Sequence, residues 1–235
     1  RLRGYHLSRA ELCTGVLVLV GSMVGMVAGT WTSTARILAL WFHDADAELV
    51  IHAYRPSWER GDKDLQRVAE RMRPAGNKAR LTWLGGVELS RRELRALYAA
   101  VDCFALPTRG EGWGRPHVEA MSLGLPVIAT NWSGPTAFMT RENAYPLAVQ
   151  DELVALPEDS HWKTHRWAQP SEDHLRSLLK HVHASPEEAR RKGERAAADV
   201  RRRFAPETVA REVTRHVERL AREWREERAR ADGEL

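Results

Sequence analysis

Cysteine is scarce in this sequence: Cys13 and Cys103 are the whole complement of a 235-residue chain. Two thiols exclude a disulfide-stapled scaffold and a cysteine-type zinc site. Lysine is scarce as well. Of 36 Lys+Arg only Lys63, Lys78, Lys163, Lys180 and Lys192 are lysine, so the basic side is nearly all arginine. An excess of either charge is also missing, since 32 Asp+Glu leave a net charge of +4. That balance excludes an acidic disordered tail protein and one that seeks polyanions strongly. The chain opens at Arg1 rather than methionine, as a fragment or a processed form would. What is present is ordinary for a globular chain. The sequence is 43% hydrophobic and 29% charged, enough to bury a core unaided. The length suits one large domain or two small ones.

Residues Leu12 to Ala35 carry no charge, and two readings stay open for them. As a helix the run is long enough to span a membrane. Gly21, Gly25 and Gly29 would then let two helices approach closely. As a strand, Val16–Val20 is a run of valine and leucine ending at Gly21, the pattern of a buried parallel strand. The strand is the favoured reading.

Beyond Thr34 the pattern alternates. Ile37–Phe42 and Asp62–Arg73 have helical spacing, while Glu48–Tyr54, Arg80–Leu84, Cys103–Leu106 and Pro126–Thr130 read as strands. Ser90 and Glu93 form a capping box that opens a helix to about Ala100. Pro116 marks a helix start and Gly124 its stop. Repeated strand–helix–strand units predict an α/β fold, a Rossmann-like parallel sheet with helices on both faces. After residue 170 only helices are expected, with Ser171 and Ser185 as N-caps and Pro186 at a first helical position. The chain thus divides into an atypical apolar segment (1–33), a Rossmann-like domain (34–170) and C-terminal helices (171–235).

The last helix, from Pro206, sets Val209, Val213, Val217, Leu220 and Trp224 on one stripe. Residues 186–235 hold 14 basic and 12 acidic side chains. Pairs such as Glu207/Arg211 and Glu218/Arg222 sit at the favourable i,i+4 spacing. Nucleic-acid binding would need clustered positives with few acids between them, so a solvated, salt-bridged helix is expected and no nucleic-acid partner. Trp41, Trp83 and Trp224 lie on apolar faces and read as core, whereas Trp113 and Trp132 lie in loops.

The stretch Pro107-Thr-Arg-Gly-Glu-Gly-Trp-Gly-Arg-Pro-His-Val-Glu119 carries the most chemistry. It follows a predicted strand and opens a predicted helix, where ligands bind in open parallel sheets. Gly110, Gly112 and Gly114 allow close backbone approach. The helix start offers free N–H groups and a positive dipole end, suited to phosphate. Glu111 and Glu119 can only accept hydrogen bonds when ionised, which suits a ligand rich in hydroxyls. Arg115 is a candidate phosphate contact, and His117 reads as partly buried rather than catalytic. There is no Gly-Lys-Ser/Thr of a P-loop, no G-x-G-x-x-G and no His pair of a metalloprotease.

The passage GEGWGRPHVEAMSLGLPVIAT resembles the E-x7-E region of retaining GT-B glycosyltransferases of the family 4, glycosyl transferases group 1 type. The resemblance runs from about Thr34 to Phe204 and includes Gly124-Leu-Pro126 and Ser133-Gly134-Pro135. It implies the C-terminal, donor-binding domain of a two-domain enzyme that transfers a hexose from a nucleotide-diphosphate sugar with retention. Glu111 would then bond hydroxyls of the transferred sugar in the catalytic role, and Glu119 the ribose. Gly112, Trp113, Gly114 and Arg115 would approach the sugar and diphosphate. Ser133, Gly134, Pro135 and Thr136 would lie near the phosphates, with the base against Gly85–Val87. No metal and no separate cofactor are implied, and the acceptor is left open between glycan, lipid and protein.

The resemblance also implies two things not found here. One is an N-terminal Rossmann-like domain carrying the acceptor site. The other is a basic pair near Gly21–Ser33, a stretch with no Lys or Arg. A diphosphate leaving group needs charge neutralisation. A catalytically inactive donor-binding or scaffolding module is therefore the alternative expectation. The compartment stays open between cytoplasm and membrane, with no cleavable signal pattern to suggest secretion.

Overall fold

Strands buried on both faces of a parallel sheet must be apolar nearly throughout. β4 (Cys103–Leu106) and β5 (Val127–Thr130) meet that condition along their whole length, and β1 (Val18–Gly21), β2 (Glu48–Ala53), β3 (Arg80–Gly85) and β6 (Tyr145–Leu147) complete a six-stranded sheet. The computed structural model describes residues 18–21, 48–53, 80–85, 88–155, 163–231 and 233. The helices expected at 37–42 and 62–73, the cation-free loop 22–33 and the base-facing residues 86–87 lie outside them. All six strands pair in parallel, in the order β3-β2-β1-β4-β5-β6. This is the strand order of a Rossmann-like domain, with the reversal point between β1 and β4.

The expected α/β parallel sheet is thus observed. Within the uncharged N-terminal run, Val18–Gly21 is a strand. Val18–Gly21 is hydrogen-bonded to β2 on one side and β4 on the other. Val18–Gly21 are therefore strand and not helix, because this valine-containing run finds two strand neighbours to satisfy its backbone. Among the described residues no helix is long and apolar enough to cross a membrane.

Among the described residues five α-helices accompany the strands. α1 (Arg91–Ala100) begins at Ser90, whose side chain accepts from Glu93 N–H while Glu93 reaches back to Ser90 N–H. α2 (Arg115–Ser122) begins at Gly114 and stops before Gly124, which has φ +79°. α3 (Glu172–Ala184) is capped by Ser171 and buries Leu175, Leu179 and Val182. α4 (Pro186–Phe204) and α5 (Pro206–Ala231) complete the set. A small antiparallel pair, β7 (Val154–Ala155) and β8 (Arg166–Trp167), follows β6.

The core lies between sheet and helices. Phe104, Ile128, Leu97, Met121, Leu147 and Leu175 are essentially inaccessible to solvent. Each contributes about 1.5–3 kcal/mol by leaving water. Residues 1–197 form one compact unit and 198–235 a second. The first unit holds the whole parallel sheet together with α1, α2, α3 and most of α4.

The second unit holds the end of α4 and all of α5. None of the residues of α5 is buried, and Val209, Val213, Val217, Leu220 and Trp224 are exposed. Trp224, expected in the core, is 58% exposed with Arg228 over its ring at 5.4 Å. The ion pairs also differ from those expected. Arg211 donates to Thr208, and the pairs formed are Glu212–Arg215, Arg219–Glu223 and Glu226–Arg230. Long arginine side chains reach i±3 and i±4 alike, so spacing alone does not choose among them.

Candidate functional site

The loop 107–114 leaves the carboxyl end of β4 beside the reversal point, and local bonds fix its course. Thr130 Oγ1, at the end of β5, donates to the Thr108 carbonyl at 2.6 Å. Arg109 Nε donates to Gln169 Oε1 at 2.9 Å. Glu111 N–H donates to Ser133 Oγ at 2.9 Å, and Gly134 N–H donates to the Glu111 carbonyl at 3.0 Å. The loop is thus tied to β5 and to the turn that follows it.

Two glycines in this neighbourhood are required by geometry. Gly114 has φ +96° as the N-cap of α2, and a Cβ there would lie 2.7 Å from His117 Nδ1. Gly134 packs so closely that a Cβ would lie 2.5 Å from Trp113 Cα. Gly112 is the opposite case, because a Cβ there would meet nothing within 4 Å. No side chain caps the N-terminus of α2; Pro116 has no N–H and His117 N–H is bonded to the Gly114 carbonyl at 3.1 Å, which leaves the Gly114 and Arg115 amides to an anion.

Glu111 is the unusual group. It is 6% exposed, yet neither carboxylate oxygen has a hydrogen bond of ordinary geometry. Burial raises its pKa to about 7, and only the Thr108 hydroxyl pulls the other way. His117 is fully buried against Phe104, with ring centroids 5.7 Å apart, and neither ring nitrogen has a hydrogen bond of ordinary geometry. Burial lowers its pKa to about 4, offset in part by the carbonyls of Gly114 and Leu106. The imidazole is therefore neutral at neutral pH, and its burial is complete where the sequence suggested partial.

The expected site residues fall into two groups. Glu111 is bonded to Ser133 and Gly134, Gly112 and Trp113 lie against Gly134 and Gly114 lies against Pro135, whereas Thr136 bonds back to Ser133; Trp113 is set edge-on to Phe138 at 5.3 Å. Arg115 and Glu119 instead meet each other on α2 at 3.6 Å, with the Arg115 side chain 81% exposed. Sequence reasoning passed over Arg109, a partly buried cation whose pKa burial lowers. Among the described residues no carboxylate forms an ion pair with it. Its signal was simple: a cation two residues before Glu111 in a ligand loop. Among the described residues no cluster could hold a metal ion.

A parallel sheet of this order, with a glycine loop and an uncapped helix start at the reversal point, defines a Rossmann-like domain. The chain belongs to the glycosyl transferases group 1 family, whose model matches residues 14–159. It is 31% identical over 182 residues to D-inositol 3-phosphate glycosyltransferase of Corynebacterium glutamicum, over 75% of this chain and 39% of that protein. The chain spans well under half the length of the curated relatives it matches. Its fold matches that of Anabaena HepE in complex with UDP and glucose, with a TM-score of 0.65 at 17% identity, over 89% of this chain and 50% of that one. It also matches the C-terminal domain of a glycosyl transferase group 1 protein, LpcC of Francisella tularensis, with a TM-score of 0.58 at 16% identity, over 80% of this chain and 86% of that one. The fold is that of one Rossmann-like half of a GT-B glycosyltransferase.

Proposed function

We propose that this domain binds a nucleotide-diphosphate sugar and serves transfer of the hexose, with retention, to a hydroxyl of an acceptor. The carrying observation is Glu111: a buried carboxyl at the ligand end of β4 whose two oxygens have no hydrogen bond of ordinary geometry. Such a group is costly unless a ligand supplies donors, and sugar hydroxyls are donors of the right kind. The free amides at the start of α2 and the open face of Gly112 suit the diphosphate. Glu119 takes the ribose, with Arg115 released from it toward phosphate. In the transfer, the anomeric C–O bond to the diphosphate breaks as the bond to the acceptor oxygen forms. The acceptor proton ends on the nucleoside diphosphate. HepE, a fold neighbour, is seen with UDP and glucose, which supports a donor of that class.

Gly112→Ala tests the reading. The added methyl meets no protein atom within 4 Å, so the thermal midpoint should hold. Calorimetric affinity for UDP- or GDP-sugars should fall about ten-fold or more, because the methyl occupies the approach to the loop. No binding of any nucleotide or nucleotide sugar by the unaltered chain would overturn the reading. A second reading, a donor-binding or scaffolding module without turnover, draws on the engagement of Arg115 by Glu119. Turnover of a nucleotide sugar by the 235-residue chain would exclude it.

A further inference from the structure

We infer that Ser133 is a positioning residue that holds Glu111 ready for the sugar rather than a ligand of the phosphates. This inference rests on the donor reading above and assigns a part within it. Three observations carry it.

Ser133 has φ 56° and ψ −143°. Among the described residues no other non-glycine has positive φ. Glycine adopts such a conformation freely and serine does so at a cost. A serine at a glycine position offers one thing that glycine lacks, a side-chain oxygen. That oxygen is already engaged, since it accepts the Glu111 N–H at 2.9 Å across 22 residues of sequence. The next residue completes the hold, because Gly134 N–H donates to the Glu111 carbonyl at 3.0 Å. Consecutive residues thus pin both sides of the Glu111 backbone. The turn that presents them is itself locked. The Ser133 carbonyl accepts from Thr136 N–H at 3.1 Å and from Thr136 Oγ1 at 2.7 Å. Gly134 lies against the backbone of Gly112 and Trp113 with no room for a Cβ. What the clamp holds is a buried carboxyl whose oxygens have no hydrogen bond of ordinary geometry, with the Thr108 hydroxyl beside it. A carboxyl free to turn would find water or a donor, so keeping it in this state requires a fixed backbone.

Ser133→Gly separates the hydroxyl from the backbone. Glycine relieves the positive φ and removes only the clamp, whereas Ser133→Ala removes the clamp and keeps the strain. In the 235-residue chain, Ser133→Gly should melt no lower than Ser133→Ala. Without ligand, Glu111 titration followed by carboxyl NMR should move in both variants by at least about one pH unit toward the ordinary 4.5. With ligand, affinity for UDP-glucose relative to UDP, and for GDP-mannose relative to GDP, should fall about ten-fold in both. Affinity for the bare nucleotides should change less than about two-fold. An unmoved Glu111 titration overturns the inference. An equal loss for UDP and UDP-glucose overturns it too, by making Ser133 a phosphate contact. If the unaltered chain takes none of these nucleotides, the donor reading falls, and the ligand-free titration still decides the clamp.

Discussion

Glu111 and His117 stand six residues apart, and burial pushes them in opposite directions. The Glu111 carboxyl, ordinarily 4.5, is raised to about 7. The folded state therefore holds a proton that the unfolded state releases between those values. The stability this gives is complete below about pH 4.5 and is lost as pH rises through 7. The His117 imidazole, ordinarily 6.5, is lowered to about 4. Its contribution is complete above about pH 6.5 and is lost as pH falls toward 4. Over the shared window the two slopes have opposite sign and nearly equal size, so they cancel in the intact protein. Removing one should expose the other. Glu111→Gln should make stability climb with pH between 5 and 6.5, by up to about 1.4 kcal/mol per unit. His117→Leu should make it fall with pH over the same range. Urea midpoints at pH 5, 5.5, 6 and 6.5 would show this, and parallel profiles for the two variants would mean that these groups are not the ones titrating.

Among the elements, the junction of α2 and α4 has the least room. Gly193 lies within α4, where alanine would ordinarily be favoured by about 1 kcal/mol. Here a Cβ would sit 2.0 Å from the Gly124 carbonyl oxygen that ends α2. Gly193→Ala should therefore destabilise, by about 2 kcal/mol or more in denaturant melts, because one helix end must move away. A neutral or stabilising result would show that α4 shifts at no cost. The same elements show what the sequence could convey. β4 and β5 were legible because parallel strands buried on both faces need unbroken apolar runs, and α1 because a capping box is a local pattern. β6, β7 and β8 have two or three residues, too few for any period to show. The loop carrying Glu111 was legible from its glycines and carboxylates. Its clamp by Ser133 was not, because a positive φ and a bond across 22 residues leave no local trace. The α5 stripe misled for Trp224, since a pattern shows which face is apolar but not that something covers it.

At the scale of the whole molecule, charge decides how an anionic donor can be held. The net charge is +4, with basic residues nearly all arginine. Several of those arginines are engaged within the helices: Arg190 on Glu187 and Glu194, Arg202 on Asp199, Arg215 on Glu212 and Arg219 on Glu223. Arg115, the cation nearest in sequence to the start of α2, is engaged by Glu119. Charges paired in this way create little long-range field, and what remains is screened within about 8–10 Å at ordinary salt. A diphosphate on this domain would then rest on backbone amides and the helix dipole rather than on a clamp of free cations. Each phosphate neutralised by a side-chain cation adds close to one to the slope of log Kd against log salt in polyanions, and dipolar amides add little. The expected slope for UDP or a UDP-sugar between 50 and 500 mM salt is therefore below about one. Arg115→Gln should leave that slope nearly unchanged while it weakens binding only slightly, because an exposed paired arginine contributes little. A slope near two, or its collapse in Arg115→Gln, would show that a cation clamp forms on the donor after all, with Arg115 leaving Glu119 to join it.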